Sequence, residues 1–433
     1  MRYGGVNALI VALEEPLVSQ ACPAAIAAAP ARRGPRRLSR RAAFAVVAAI
    51  IVLFLAASSA PSPLYVVYQH QWHFSSGTLT AVFAVYVVGM LASLLVFGGL
   101  SDHLGRRPVL AAAIGLEAVA LVLFLVAGDV SVLYLARFLQ GVATGTAMTT
   151  LGATLVDLNP PHAPGRAGLV NGVTPTTGLA LGALGCGFLV EYAPAPTRLV
   201  YALLLSAIVL AALAVAAMPE TSARRPGARA SLVPRLGVPA GARADFYALV
   251  PIIVASWALG GLYLSLGPSV AAGIFGLSNH LIGGLVVTAL CGTGALTTFA
   301  LRRRATGEVL RIGAGLLATG TTVTLAGIAT DSVVSALAGT LIAGVGFGAS
   351  ALAMFGALGK LAGPAERGAL FAVGYTIAYL AFSVPAVAAG LATTAAGLRP
   401  TAIVYSLTVI VLGLAALAAH GFRAARARAK AVR

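Results

Sequence analysis

Charged side chains are scarce in this sequence: Asp, Glu, Lys and Arg together make 9% of its 433 residues, where soluble domains carry about 25%. A water-facing surface cannot be covered with so few charges, so a string of soluble domains is excluded. Cysteine is almost missing as well. Cys22, Cys186 and Cys291 are too few and too scattered for a disulfide framework or a metal cluster, and neither a metal nor another cofactor is expected. Lysine is reduced to Lys360 and Lys430. No Gly-X-Y period runs through the 50 glycines, which excludes a collagen-like chain, and the hydrophobicity excludes disorder. What remains is apolar: 59% of residues are Ala, Val, Ile, Leu, Met, Phe, Trp, Tyr or Cys. The chain reads as an all-α integral membrane protein embedded in a lipid bilayer.

A bilayer core about 30 Å thick calls for about 20 apolar helical residues. Twelve such runs are present: 42–68, 77–100, 108–128, 131–156, 166–190, 198–218, 246–272, 279–301, 309–329, 332–359, 367–392 and 400–420. An even count puts both termini on one side. The loops on that side hold Arg32, Arg33, Arg36, Arg37, Arg40, Arg41, Arg106, Arg107, Arg166, Arg224, Arg225, Arg229, Arg235 and Arg243. Further along come Arg302, Arg303, Arg304, Arg311, Lys360, Arg367 and the basic tail over 422–433. The opposite loops offer only Arg198 and Arg399. The positive-inside rule therefore predicts cytoplasmic termini in a multi-pass protein of the inner cell membrane. The net charge of +17 belongs to this pattern and does not call for nucleic acid as a partner. Residues 1–41 lack a clean signal-peptide pattern, because Glu14, Glu15 and Pro16 break the apolar stretches; they are expected to be a cytoplasmic tail.

A polar linker, 221–245, divides the spans into bundles over 42–220 and 246–421, and the two resemble each other. Gly141-Val-Ala-Thr-Gly145 in span 4 recurs as Gly344-Val-Gly-Phe-Gly348 in span 10, 203 residues on. Asp129 before span 4 recurs as Asp331, and Arg166 as Arg367, at displacements of 202 and 201. The proline-containing end of span 1, around Pro61 and Pro63, faces a counterpart at Pro268 in span 7. A parallel six-plus-six repeat belongs to a transporter architecture with its substrate site between the halves. The Gly-x-x-x-Gly pairs, including Gly178 and Gly182, are expected to serve close helix packing.

The loop after span 2 reads Gly98-Gly-Leu-Ser-Asp102-His103-Leu-Gly105-Arg106-Arg107. By itself it is a tight turn with a topology signal. It also resembles the G-x-x-x-D-(R/K)-x-G-(R/K)-(R/K) signature of the major facilitator superfamily, with His103 where Arg or Lys is usual. Arg137-Phe-Leu-Gln140-Gly141 is similar to that family's R-x-x-Q-G element, and Met218-Pro219-Glu220-Thr221 to its ending of span 6. The resemblance covers about 42–421 and implies two pseudo-symmetric six-helix bundles. It implies a conformational gate of Gly98, Asp102, Gly105, Arg106, Arg107 and Asp157, with Asp102 seated against the start of span 11 near Ala365 and Arg106 relaying to Asp157. Span 5 shares the glycines of the family's antiporter element (Gly178, Gly182, Gly185, Gly187) but has Ala183 where a proline is usual.

Two ionisable residues lie well inside the spans, Glu117 in span 3 and Arg137 in span 4. Such residues are functional candidates by default. At about 1.5 Å of rise per residue they are offset by about 8 Å along the membrane normal, a gap that two long side chains close only partly. Proton coupling through them is one reading; a hydrogen-bonded structural role for Glu117 is the other. Glu117 aligns with Thr319 in the second half, so the acid is not part of the repeat. All six histidines lie at span ends or in loops, which excludes an intramembrane histidine relay.

The family layout implies a substrate cavity lined by Tyr65, Gln140, Thr144, Asn171, Trp257, Tyr263, Phe347, Met354, Tyr375 and Tyr379. These describe an aromatic, weakly polar space. A sugar carrier would need more hydrogen-bonding groups and a dicarboxylate carrier paired cations. Apolar pockets with few polar groups suit drug-like molecules, so the expected function is alternating-access efflux of hydrophobic or amphipathic small molecules driven by protons. Uptake of a small metabolite is the alternative. A channel would need a selectivity filter or charged rings, and a membrane enzyme a cluster of reactive side chains; neither is visible. A monomer suffices, since the architecture needs no second chain to form its pathway.

Overall fold

A computed structural model of the protein describes residues 37–431 except 164, 364 and 365. Most of the tail expected over 1–41, and Ala365 at the expected start of span 11, lie outside the described residues. Each apolar run forms a helix or a pair of helices. Span 1 comprises Arg40–Ser59 and Pro61–Trp72; spans 2 to 6 are Ser76–Phe97, Arg106–Val126, Val130–Asp157, Arg166–Tyr192 and Leu199–Ala217. Span 7 comprises Arg243–Ser265 and Gly267–Gly273; spans 8 to 12 are His280–Leu301, Thr306–Ala329, Val333–Leu361, Arg367–Ala396 and Leu398–Ala431. Eleven of these spans are long and apolar enough to cross a membrane among the described residues. Span 4 is 28 residues long but more polar, because Arg137, Gln140 and five threonines are spaced through it.

The helix starts follow from local chemistry. Span 1 is capped by Ser39, whose hydroxyl accepts from the Ala42 N–H, and span 2 by Ser75, which accepts from Thr78. Asp129 caps span 4 through the N–H groups of Val132 and Ser131, and these hold its carboxyl below the usual range. In the second half Asn279 caps span 8 and Ser332 caps span 10. Such caps satisfy N–H groups that the first turn leaves unpaired. Proline explains why spans 1 and 7 are both split. Pro61 and Pro268 each sit in the first turn of the second helix segment, where a missing N–H costs nothing but where a continuous helix would clash. The break recurs at the same place in both halves.

Glycine sets how closely the spans approach. A Cβ on Gly141 would lie 2.1 Å from the Tyr86 carbonyl oxygen, and one on Gly348 2.1 Å from that of Gly294. Span 4 is thus pressed on span 2, and span 10 on span 8, by the paired glycines that the repeat placed there. Substituting Gly141 by Leu would force backbones apart, and overpacking of this kind costs about 1–3 kcal/mol or more. We expect that variant to be largely absent from the membrane fraction on immunoblotting, while Gly115→Leu, which has open space around it, accumulates normally.

We call the end of the bundle that holds residues 97–106 and 157–166 the terminal face, and the other end the distal face. Several contacts join the halves toward the distal face, and spans 5 and 8 also meet nearer the terminal face, where a Cβ on Gly172 would lie 3.4 Å from Thr298 Cγ2. The Ser62 hydroxyl donates to the Leu264 carbonyl at 2.6 Å, joining spans 1 and 7. Spans 2 and 11 meet where the Gly77 N–H donates to Thr394 Oγ1 at 3.3 Å and where Phe83 packs on Phe382, 5.2 Å between ring centres. Glu191 Oε2 accepts from the His280 N–H at 2.9 Å and pairs with its imidazole Nδ1 at 3.0 Å, tying span 5 to span 8. One apolar core runs through both halves here, including Phe54, Phe83, Leu262 and Ala386. Toward the terminal face the second half has a core of its own, with Phe246, Leu249, Leu310, Leu358 and Leu370.

Candidate transport site

The terminal-face loop after span 2 is a short helix, Leu100–Leu104, that turns at Gly105 into span 3. Gly105 has φ +107°, a conformation open to glycine at little cost. A Cβ there would also lie 2.8 Å from Glu220 Oε2. That contact reveals what Glu220 does. Its Oε1 accepts from the N–H of Arg106 at 2.8 Å, and its Oε2 from that of Arg107 at 3.1 Å. The N–H groups of Thr221 and Ser222 add two more bonds to Oε1. Glu220, at the end of span 6, therefore caps span 3, which has no cap of its own. Partial burial pushes its carboxyl up, but the four N–H donors together outweigh this and leave it below the usual glutamate range. A lowered carboxyl adds stability that is fully present above the unfolded-state value, about 4.3, and lost as pH falls through the folded one. Glu220→Ala is expected to lower the melting temperature in detergent at pH 7 by an amount equivalent to about 1–2 kcal/mol, and this difference from the parent should shrink as the pH is taken below about 4.

Arg106 collects the remaining groups. Its Nη1 reaches Asp102 Oδ1 at 2.5 Å and Ser101 Oγ at 2.6 Å, and its Nε donates to Asp157 Oδ2 at 3.1 Å. The Thr221 hydroxyl donates to the same Asp157 oxygen at 2.9 Å. Arg107 donates to the carbonyls of Val215 and Ala216, holding span 6, and Gly98 ends span 2. The Asp102 side chain is 52% exposed. Its carbonyl accepts from Ser222 Oγ and the Arg225 N–H, and His103 Nδ1 donates to the Arg225 carbonyl at 2.8 Å. The segment after span 6 is thereby pinned to the loop. Among the described residues, the Asp102 carboxylate makes no hydrogen bond or ion pair with span 11 in this conformation; it turns to Arg106 instead.

Inside the first half, Arg137 is 1% exposed and Glu117 fully buried. Arg137 Nε donates to the Tyr65 hydroxyl at 2.7 Å; Nη1 donates to the Ser58 carbonyl at 2.9 Å and to Gln140 Oε1 at 2.6 Å. The guanidinium also lies against the rings of Tyr65 and Tyr86, 5.4 and 5.1 Å from their centres. Gln140 Nε2 donates to Glu117 Oε1 at 3.0 Å and to the Ala57 carbonyl at 3.2 Å. The axial gap between Glu117 and Arg137 is thus bridged by a third side chain. Residues 137 and 140 share a helix face at a spacing of three, which is the sequence signal for this bridge. Around it, the Tyr86 hydroxyl donates to Ser58 Oγ at 3.0 Å, and Ser58 Oγ lies 3.4 Å from Thr144 Oγ1. Glu117 Oε2 is buried with no hydrogen-bond partner.

The residues expected to line a cavity therefore divide. Tyr65, Gln140 and Thr144 are buried in this network. Tyr263 is buried with its hydroxyl 2.8 Å from Thr340 Oγ1, and Met354 belongs to the core of the second half. Phe347 packs against Gly260 and Gly294, and Asn171 is exposed beside Gly152. Trp257, Tyr375 and Tyr379 come together, with ring centres 4.9 Å apart for Trp257–Tyr379 and 6.1 Å for Tyr375–Tyr379. Phe355, Phe371 and Phe382, not expected from sequence, extend this aromatic group.

The family model of the Major Facilitator Superfamily matches residues 46–386. The chain belongs to that superfamily. Its all-helical, multi-pass architecture, with twelve helical spans among the described residues in two pseudo-symmetric bundles, is the superfamily's fold. Its sequence is similar to the MFS-type transporter paaT of Penicillium rubens, 31% identical over 110 residues, which is 25% of this chain and 20% of that one. It is also similar to the MFS-type transporter traF of Penicillium crustosum, 30% identical over 149 residues, or 34% of this chain and 30% of that one. The chain thus spans under a third of the length of these curated relatives. Among solved structures, a bacterial homologue of the human lysosomal transporter Spinster, inward-facing and unoccupied, superposes with a TM-score of 0.67 at 13% identity, covering 88% of this chain and 97% of that one. The human organic anion transporter MFSD10 (TETRAN) gives 0.62 at 19% identity, with 88% and 100% covered.

Proposed function

We propose that this protein exports hydrophobic or amphipathic small molecules across the inner cell membrane in exchange for protons, by alternating access. The observation that carries this reading is the buried Glu117 carboxyl, one oxygen tied through Gln140 to Arg137 and the other without a partner. A carboxyl placed this way takes up and gives back a proton inside the first half, and Gln140 passes the change to the arginine on span 4.

With the basic loops at the terminal face read as cytoplasmic, both termini are inside. The continuous distal core is then an outer seal, and the separate terminal-face core of the second half belongs to a cleft open to the cytoplasm. Gly98, Asp102, Gly105, Arg106, Arg107 and Asp157 form the gate. In the outward-open state Asp102 swings from Arg106 to the start of span 11. Trp257, Phe347, Tyr375 and Tyr379 are the cavity side chains that meet substrate, with Asn171 at the mouth; the other expected cavity residues support them from behind. Protons, the substrate and the lipid bilayer are the only partners the mechanism needs, and one chain holds the whole pathway.

The test is flux in everted membrane vesicles, whose interior is acidified so that the former cytoplasmic face takes up compound. Accumulation of an amphipathic dye that rises with the imposed pH gradient and collapses with a protonophore is the expected result. Accumulation only in right-side-out vesicles would instead establish uptake, and flux indifferent to the gradient would remove the proton.

A further inference from the structure

Span 11 carries Phe371, Tyr375, Tyr379 and Phe382. At about 100° of turn per residue these four fall on one face of the helix. The strongly exposed residues Leu380, Val384 and Leu391 fall on the opposite face, toward lipid. The aromatic face therefore looks into the protein. Phe355 of span 10 joins it, 5.7 Å from Tyr375 and 6.4 Å from Phe371 between ring centres, and Trp257 of span 7 lies 4.9 Å from Tyr379 and 5.9 Å from Phe382. Phe382 also meets Phe83 of the other half at the distal seal. The series thus begins where the halves close and descends about 16 Å toward the terminal face. Trp257, Phe355, Phe371 and Tyr375 along it are only partly buried.

The hydroxyls supply a second observation. Buried tyrosines elsewhere in the spans have partners: Tyr65 with Arg137, Tyr86 with Ser58, Tyr263 with Thr340, Tyr405 with the Ala258 carbonyl. Among the described residues, neither Tyr375 nor Tyr379 has a hydrogen bond to protein. Neither hydroxyl is among the fully buried unpartnered groups, so both open onto the space beside the ring series, where a bound molecule can reach them. Charge narrows that partner further. No Asp or Glu lies between Phe246 and Gly273 in span 7, nor in spans 10 and 11, so a cation seated against these rings would meet no carboxylate; at the terminal end Arg243, Lys360 and Arg367 outnumber Asp245 and Glu366.

We propose that this aromatic face is the substrate's seat, and that it takes planar aromatic molecules, neutral or anionic, with acceptor oxygens for the two tyrosine hydroxyls. This rests on the reading of the cleft as the transport pathway, and not on the direction of transport. Ring stacks of this kind hold a flat π-system between edge and face contacts.

Tryptophan fluorescence tests the proposal on the purified full chain. The sequence has two tryptophans, and Trp72 stacks on Tyr68 at the distal end, so Trp72→Phe leaves Trp257 as the reporter in the seat. Anthraquinone-2-carboxylate is expected to quench it saturably, while deoxycholate, amphipathic but not aromatic, and ethidium, planar but cationic, compete poorly. Tyr375→Leu with Tyr379→Leu should weaken binding by about tenfold or more, and the milder pair Tyr375→Phe with Tyr379→Phe, which keeps the rings, by about threefold to tenfold. Unsaturable quenching, indifference to all four substitutions in variants that elute and melt like the parent, or equal competition by deoxycholate or ethidium would overturn it. Saturable quenching without flux in vesicles would keep the seat and sink the exporter reading. Flux of deoxycholate without quenching would keep the exporter and sink the seat.

Discussion

Glu117→Gln is expected to abolish concentrative transport while leaving substrate binding and the fold intact. A pH gradient of one unit is worth about 1.4 kcal/mol per proton, enough for roughly tenfold accumulation. If Glu117 carries the proton, the isosteric amide should bring the accumulation ratio in everted vesicles to about one, and the pH dependence of flux should flatten with it. Folding is expected to survive because the replacement keeps an oxygen where Gln140 Nε2 donates at 3.0 Å and fills the same buried volume. Arg137→Ala should be harsher. It deletes the guanidinium that binds the Tyr65 hydroxyl, the Ser58 carbonyl and Gln140 together, and leaves those groups unsatisfied in an apolar interior. A Glu117→Gln transporter that still accumulates dye tenfold would mean that the coupling proton travels elsewhere, and the network would then be structural.

Asp102→Asn should separate folding from function at the terminal face. In this conformation Asp102 is half-exposed and shares Arg106 with Asp157, and an exposed ion pair is worth only about 0–1 kcal/mol. Expression and melting temperature should therefore hardly change. Transport should fall, because the proposed outward-open state needs a carboxylate at the start of span 11, where a helix terminus can stabilise a charge by up to ~2 kcal/mol in a partly buried setting. Losing that term shifts the balance of conformations by roughly tenfold or more, enough to make one face difficult to close. Thiol labelling of a cysteine placed at Ala369 reports the shift: the variant should label faster than the parent. Unchanged labelling together with parental flux would remove Asp102 from the gate.

The fold was legible from the sequence because lipid imposes a simple rule. Twenty apolar residues between basic loops can do little except cross, and the repeat at a displacement of about 200 residues identified the arrangement. Even the split of spans 1 and 7 was marked by Pro61 and Pro268. The loop after span 2 was legible as a motif, and its Arg106 pairs with Asp157 at 3.1 Å. Other features depend on which residues meet in space. Glu220 caps a helix 114 residues earlier in the chain, and no local pattern announces that. Gln140 reads in sequence as a cavity residue by its place on span 4; in the structure its amide fills the gap between Glu117 and Arg137. Tyr65 was drawn away from the cleft in the same manner, by an arginine that needed an acceptor. Phe371, Tyr375, Tyr379 and Phe382 do share a helical face in sequence, but composition alone does not say whether such a face meets lipid, protein or open cleft.

The Gln140 amide has a polarity that cannot be reversed. Arginine offers only N–H groups, so the carboxamide must turn its oxygen to Arg137 and its nitrogen to Glu117. Glu117 Oε1 is consequently engaged as an acceptor, and the address left for an incoming hydron is Oε2, the atom with no partner. On the proposed mechanism, a proton reaching Glu117 therefore arrives at Oε2 and not by way of Gln140.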